Sequence, residues 1–386
     1  MRTVREQAAI RCVLMRGGTS KGVFLSAADL PADRAARDQT ILALFGSPDP
    51  RQIDGLGGAD ILTSKVAIIG PPTRSDADVD YTFGQVSIRE PVVDYDINCG
   101  NLSAAVGVYA IEEGFVRASE PVTSVRVHNT NTAKVFVAHV PVRDGSPAVE
   151  GETVIDGVPG SGAEIVLDFT GTVGAVTGRL LPTGRPLDRL HVPALGGSVE
   201  ASIVDVANLC VFVAAADVGM TGAEGPANFT AAHLRALVAV KDAAAARLGL
   251  SADGLVPLPV AVAPPLAYQT FAGRDVRPDE VDLLARLAGG RPPMLHKTFP
   301  GTAATCTAVA ARIAGTVPAT ASARARHDRE IRIGHPGGVM PARALVSGGP
   351  PWTVREAGYF RTARRLMEGH ALVRRAVLGA YAGARR

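Results

Sequence analysis

Residues 104–111 and 303–313 read as helices of small and apolar side chains with almost no charged face. A helix that is apolar all round has no stripe to offer water, so it must be surrounded. A chain carrying two of them has to build a layer around each. The flanking segments supply that layer in the same order twice. In the first half, strands at 11–16 and 22–25 precede a helix at 35–45, strands at 64–69 and 80–88, the first apolar helix, and a hairpin joining 124–127 to 133–140. In the second half, strands at 201–206 and 209–214 precede a helix at 231–248, a strand at 260–263, an apolar helix from Gly301, and a hairpin joining 331–333 to 342–346. An order repeated once points to duplication of an α/β (α+β) domain, since a solenoid needs three or more short units. The seam is expected near Leu181-Pro182-Thr183-Gly184-Arg185-Pro186, giving domains 1–184 and 185–386, each an antiparallel β-barrel-like sheet around its central helix.

The 386 residues are 47% hydrophobic, enough for two cores of ordinary domain size. Net charge is +3, from 40 Lys+Arg against 37 Asp+Glu, and aromatics are 5%, so neither a basic field nor a base-stacking surface favours nucleic acid. Cys12, Cys99, Cys210 and Cys306 form no C-x-x-C pair, which fits a reducing compartment. Residues 1–7 are polar, and Asp205, Asn208 and Asp217 interrupt the longest apolar stretches, so the expectation is a cytoplasmic protein without a membrane span. The histidines make no H-x-x-x-H or H-x-x-E-H pair, and no metal is expected. A homodimer is left open.

A free cysteine is most often a small core residue and a lysine most often a surface one. The setting of two such residues departs from that rule. Cys99 stands in Asn98-Cys99-Gly100-Asn101, immediately ahead of Leu102 and the apolar helix, where first-turn N–H groups and the helix dipole favour a thiolate and attract a carboxylate. Gly100 permits close approach of a ligand, and Asn98 and Asn101 are cap-type residues. Lys65 opens the apolar strand after Thr63-Ser64, an odd place for a solvated lysine. Together Lys65 and Cys99 suggest proton transfer.

The loop Arg16-Gly17-Gly18-Thr19-Ser20-Lys21-Gly22 imitates G-x-S-x-G, but strand, not helix, follows Ser20, and the order of a P-loop is not met. It reads either as a glycine hairpin turn or as a polar nest in which Thr19, Ser20 and backbone N–H groups hold a carboxylate. The glycines of 54–60 are expected to shape the loop that delivers Ser64 and Lys65. Should the two apolar helices point their amino ends at one another, two anion-binding termini, the second at Gly301 and Thr302, would suit a polycarboxylate. His128 and His296 read as turn or surface residues ahead of a cleft-lining role, Cys12, Cys210 and Cys306 as inert core, and 361–367 as a basic helix with a solvated face, an arginine that reaches the cleft being the lesser alternative.

Arg16 to Gly22, Gly55 to Lys65, Tyr81-Thr82-Phe83-Gly84-Gln85-Val86, Asn98 to Asn101, Val204-Asp205-Val206-Ala207-Asn208 and the 361–367 segment together resemble the PrpF family of 2-methylaconitate cis-trans isomerases, 4-oxalomesaconate tautomerases and methylitaconate isomerases. The resemblance spans nearly the whole chain. It implies a diaminopimelate epimerase-like fold of two pseudo-symmetric domains, with Lys65 and Cys99 as catalytic residues and no cofactor. The implied activity moves a double bond, or cis-trans geometry, in an unsaturated di- or tricarboxylate by allylic 1,3-proton transfer. Substrate binding then falls to Arg16, Gly18, Thr19, Ser20, Ser64, Asn98, Gly100, Asn101, Leu102, Gly301 and Thr302. The epimerase pattern has a cysteine at the start of each central helix, whereas Phe299-Pro300-Gly301-Thr302 has none, which counts against a racemase or epimerase. A carboxylate-binding accessory protein is the other alternative, and intact Lys65 and Cys99 count against it.

Overall fold

The computed structural model describes residues 6–95, 99–290, 292–322 and 329–379. The chain divides into two compact units, Met1–Leu167 with Arg361–Arg386, and Asp168–Phe360. The first contains β1 (Gln7–Gly17), β2 (Ser20–Ser26), α1 (Arg34–Phe45), β3 (Lys65–Gly70), β4 (Val79–Val86), β5 (Val93–Asp94), α2 (Gly100–Glu112), β6 (Val122–Asn129) and β7 (Lys134–Arg143). The second contains β8 (Asp188–Val192), β9 (Gly197–Val206), β10 (Asn208–Ala214), α3 (Ala231–Leu248), β11 (Leu258–Ala263), β12 (Leu283–Gly289), α4 (Gly301–Arg312), β13 (Glu330–His335) and β14 (Gly338–Ser347). The chain then runs through β15 (Thr353–Arg361) and back into the first unit as β16 (Ala363–Arg374).

Strand pairing makes the duplication explicit. In the first unit the order is β7-β6-β4-β3-β2-β1-β16, antiparallel except for β6 with β4 and β3 with β2. In the second it is β14-β13-β12-β11-β10-β9-β8, with the two parallel pairs, β13 with β12 and β11 with β10, at the same places. Each sheet curls about its helix: α2 touches β7 and β16 at opposite ends of its sheet, and α4 touches β14 and β9. Every residue of α2 from Gly100 to Ile111 is buried, as is all of α4. Leu102, Val106, Tyr109 and Ile111 are fully or nearly fully enclosed, each stabilising the unit by about 1.5–3 kcal/mol. Arg312 ends α4 without breaking this rule, because its guanidinium donates to the Glu330 and Ala344 carbonyls.

The opposite face of the first sheet packs on α1, which Asp33 caps by accepting from the Ala36 N–H at 3.0 Å and Gly46 ends at φ 69°. Ile10, Cys12, Val23, Leu25, Val66 and Ile68 point to that side. The strand pleat therefore sends Phe24, Lys65 and Ala67 to the other side, toward α2; Phe24 lies 5.4 Å from Tyr109.

Two readings of the sequence are corrected. The 361–367 segment is strand, not a solvated helix, because β16 pairs with β1 from Gln7↔Arg374 to Gly17↔Ala363. The units also do not part at the Leu181–Pro186 seam: the second begins at Asp168, and the end of the chain belongs to the first. The strand that flanks β9 precedes it in sequence, whereas the one that flanks β1 arrives from the far end of the chain.

Candidate active site

The turn between β1 and β2 is built against the first turn of α2. A Cβ on Gly17 would stand 2.6 Å from the Asn101 carbonyl oxygen, and one on Gly18 2.4 Å from Asn101 Oδ1. Gly18 also adopts φ 51°, so glycine is needed there for conformation as well as space. With the turn this close, Asn101 Nδ2 donates to Thr19 Oγ1 at 2.9 Å, and the Cys99 thiol lies 4.0 Å from Ser20 Oγ. Cys99 is the N-cap residue of α2 and its side chain caps nothing. Its carbonyl instead accepts from the Ser103 N–H and hydroxyl, leaving the thiol at the positive end of a buried helix.

Lys65 reaches the same face from the sheet. Its partner across the parallel β2–β3 pair is Gly22, where a Cβ would meet the Leu102 side chain at 2.8 Å. Lys65 is 7% exposed, so its side chain has lost most of its water. Its Nζ donates to Gln85 Oε1 at 2.8 Å and lies 5.1 Å from the centre of the Phe83 ring. Gln85 is directly opposite Lys65 in the β3–β4 ladder, and Phe83 is two residues away on the same face.

Ser64 has a different task. Its hydroxyl donates to Gln52 Oε1 at 2.6 Å, and Gln52 also accepts from the Ala59 N–H and donates to Ser47. Gln52 thereby ties down the glycine loop before Lys65, and a Cβ on Gly57 would stand 2.2 Å from the Gln52 amide and displace it. Arg16 likewise does not join Lys65 and Cys99. It follows Leu14 onto the α1 face, where its guanidinium donates to the carbonyls of Gly18 and Thr362 and braces the turn from behind. Burial, with Arg364 opposite it in the ladder, holds this guanidinium below the ordinary arginine range. Asn98 lies outside the described residues, as do Asp96 and Ile97.

Arg361 is the residue that the sequence reading misplaced. It is 6% exposed, and its Nε donates to Asn101 Oδ1 at 3.0 Å, so Arg361, Asn101 and Thr19 form one chain of hydrogen bonds. The bond fixes which end of the Asn101 amide faces Thr19. Arg361→Met is expected to cost about 1–2 kcal/mol of stability by leaving a buried acceptor unpaired, with KM raised severalfold; denaturant melts and steady-state kinetics check both.

In the second unit, Gly301 and Thr302 begin α4. A Cβ on Gly301 would stand 2.3 Å from the Tyr359 ring, and Asn208 Nδ2 lies 3.5 Å from Thr302 Oγ1, repeating the turn-to-helix contact of Thr19 with Asn101. The turn here has Ala207 at φ 57°. The chemistry is not repeated. Leu258 occupies the register of Lys65, since Cys210 and Gly22 are the third residues of β10 and β2, and Pro300 is the N-cap residue of α4 where Cys99 caps α2. Cys12, Cys210 and Cys306 are buried, and burial with Cys306 alongside pushes the Cys210 thiol well up. His128 is paired to Asp80 at 2.8 Å, and His296 lies 3.4 Å from Thr298 Oγ1. Among the described residues no three His, Cys, Asp or Glu side chains cluster as metal ligands, and no helix is long and apolar enough to cross a membrane.

The chain matches the family model described as PrpF protein over residues 7–374. It is 49% identical to a 3-methylitaconate isomerase of Eubacterium barkeri over 384 residues, covering 97% of this chain and 99% of that one. A 4-oxalomesaconate tautomerase of Pseudomonas putida is 38% identical, covering 97% of this chain and 98% of its own length. Among solved structures, a methylitaconate-delta-isomerase superposes with a TM-score of 0.84 at 49% identity, covering 97% of each chain.

Proposed function

The chain belongs to the PrpF family, and from that premise we propose that it is an isomerase that moves a double bond in an unsaturated di- or tricarboxylate by allylic proton transfer, with Lys65 and Cys99 as its proton carriers. One observation carries the assignment of residues. The β1–β2 turn meets the head of α2 through Ser20 and Thr19 and runs directly into the strand whose Gly22 pairs with Lys65. A single rigid element thus links both proton carriers.

The chemistry follows from carbon acidity. A proton on the carbon beside a carboxylate-conjugated alkene is removed, the electron pair spreads through the allyl unit onto the carboxylate, and a proton is returned at the far end. In this reading Lys65 takes the first proton and Cys99 delivers the second, and the reverse reaction exchanges their roles. The developing negative charge is met by N–H donors at the first turn of α2 and by the Thr19 and Ser20 hydroxyls, a preorganised set that costs no reorientation. Gly18, Gly100 and Leu102 shape this end of the helix. No organic cofactor or metal enters these steps.

A two-thiol racemase carries a cysteine at the head of each central helix, and here Pro300 caps α4 where Cys99 caps α2, so a 1,3-transfer by Lys65 and Cys99 is favoured. The test is proton NMR in D₂O with methylitaconate, 2-methylaconitate, 4-oxalomesaconate and cis-aconitate. Conversion of at least one, with deuterium at the allylic position of the product, is expected. Absence of both conversion and exchange in all four would sink the proposal.

A further inference from the structure

Gln85 belongs to a stretch, 81–86, to which the reaction as described gives no task. Its side chain is nevertheless held on three sides. Nε2 donates to the Ser64 carbonyl at 2.8 Å and to the Ile61 carbonyl at 3.2 Å, so the amide cannot turn over without losing both bonds, and Oε1 is left facing Lys65 Nζ at 2.8 Å. On its other side Gln85 pairs with Asp94 of β5. Lys65, Gln85 and Asp94 therefore form a row across three strands on one face of the sheet, with the lysine and the carboxylate two strand spacings, about 10 Å, apart.

We propose that Gln85 is a positioning residue that acts on Lys65 in two ways: it aims the amine, and as a fixed neutral spacer it keeps the amine out of an ion pair with Asp94. The inference rests on the reading of Lys65 as a proton carrier. A carboxylate in direct contact would hold the lysine as ammonium and remove its capacity to take a proton, whereas an amide oxygen accepts one hydrogen bond without that bias. Phe83 closes the neighbouring side with an apolar ring. Among the described residues the other ionisable groups toward this face include Cys99 at the head of α2, Tyr81 farther along β4, Tyr109 on α2, and Arg11 and Arg365, which pair with Glu112 and Glu113 at the far end of α2. From β2 come Ser20 and Gly22, which do not titrate here, and Asp60 in the preceding loop is exposed.

Gln85→Glu is nearly isosteric and converts the spacer into the missing carboxylate. Lysines labelled with ¹³C at Cε are followed by NMR through a pH titration; Lys65 is one of only five in the chain, and its signal is assigned by its loss in Lys65→Met. The Lys65 midpoint is expected to rise by at least about one pH unit in Gln85→Glu, the usual effect of an opposite charge at contact, and kcat at neutral pH to fall about tenfold with KM little changed and activity recovering as pH rises. A midpoint that moves by less than about 0.3 unit overturns the inference. Gln85→Met, which removes the acceptor without adding charge, should lower kcat across the whole pH range; unchanged kcat there also overturns it. If instead Lys65→Met retains full deuterium exchange, the failure lies in the catalytic reading itself, which separates the two.

Discussion

Lys65→Met is expected to lower deuterium exchange and turnover by at least ~10²-fold while leaving the thermal melt within a few degrees of the parent, because it deletes a proposed proton carrier and keeps an apolar stem of similar length. The stem matters. Lys65 lies in a fully buried strand and is itself 7% exposed, so its carbons are enclosed in the packing there. Methionine retains that contact, so a large loss of rate without a loss of fold isolates the amine. Cys99→Ser should show a loss of the same order, since a serine hydroxyl is far less ready to give or take a proton. Exchange assays at saturating substrate, alongside circular dichroism, decide the matter. Near-parental rates in both variants would remove the pair from the mechanism.

Gly17→Ala is expected to destabilise the protein by about 3 kcal/mol, the upper end of overpacking costs, and to lower kcat/KM at least tenfold. Gly17 has no unusual backbone angle, so the penalty is steric alone: the new methyl would stand 2.6 Å from the Asn101 carbonyl oxygen and 3.2 Å from Leu102 Cα and Ala105 Cβ. Two of those atoms are backbone and cannot swing aside. The turn must lift from the helix, and Thr19 and Ser20 lift with it. Gly197→Ala is the matched control, because a Cβ there meets nothing within 4 Å and the backbone conformation is ordinary. Its stability should change by less than about 0.5–1 kcal/mol. Urea unfolding of the three proteins checks both values, and equal behaviour of the two variants would show that the turn is not seated on the helix.

What could be read from the sequence was what local pattern encodes. The two apolar helices stand where their composition demanded burial, and α3 has the bounds expected of it, because Thr230 and Gly249 mark its ends. The order of strands was readable from alternation and turn residues. The partner of β1 was not. Nothing within residues 361–374 says that they lie against residues 7–17, and an Arg- and Ala-containing run satisfies helix propensity until that pairing overrides it. The same limit explains the site. Lys65 and Cys99 are unusual in their own neighbourhoods and so could be singled out, whereas Gln85, Gln52 and Arg361 acquire their roles from register and from contacts up to 260 positions away. The placement of Arg16 was hidden for a related reason: the parity of a strand decides which face a residue serves, and that parity is known only when one face has been identified.

The return of β16 to β1 also imposes an order of events during synthesis. The other strands of the sheet that holds Lys65 lie within residues 7–143, yet the strand that lies beside β1 is residues 363–374, made more than two hundred residues later. The second unit, whose corresponding strand β8 directly precedes β9, has all its pieces earlier and can close while the first waits with one edge unpaired. The first unit thus presents an unpaired β1 edge until β16 is made, and the sheet whose third strand carries Lys65 is complete only then.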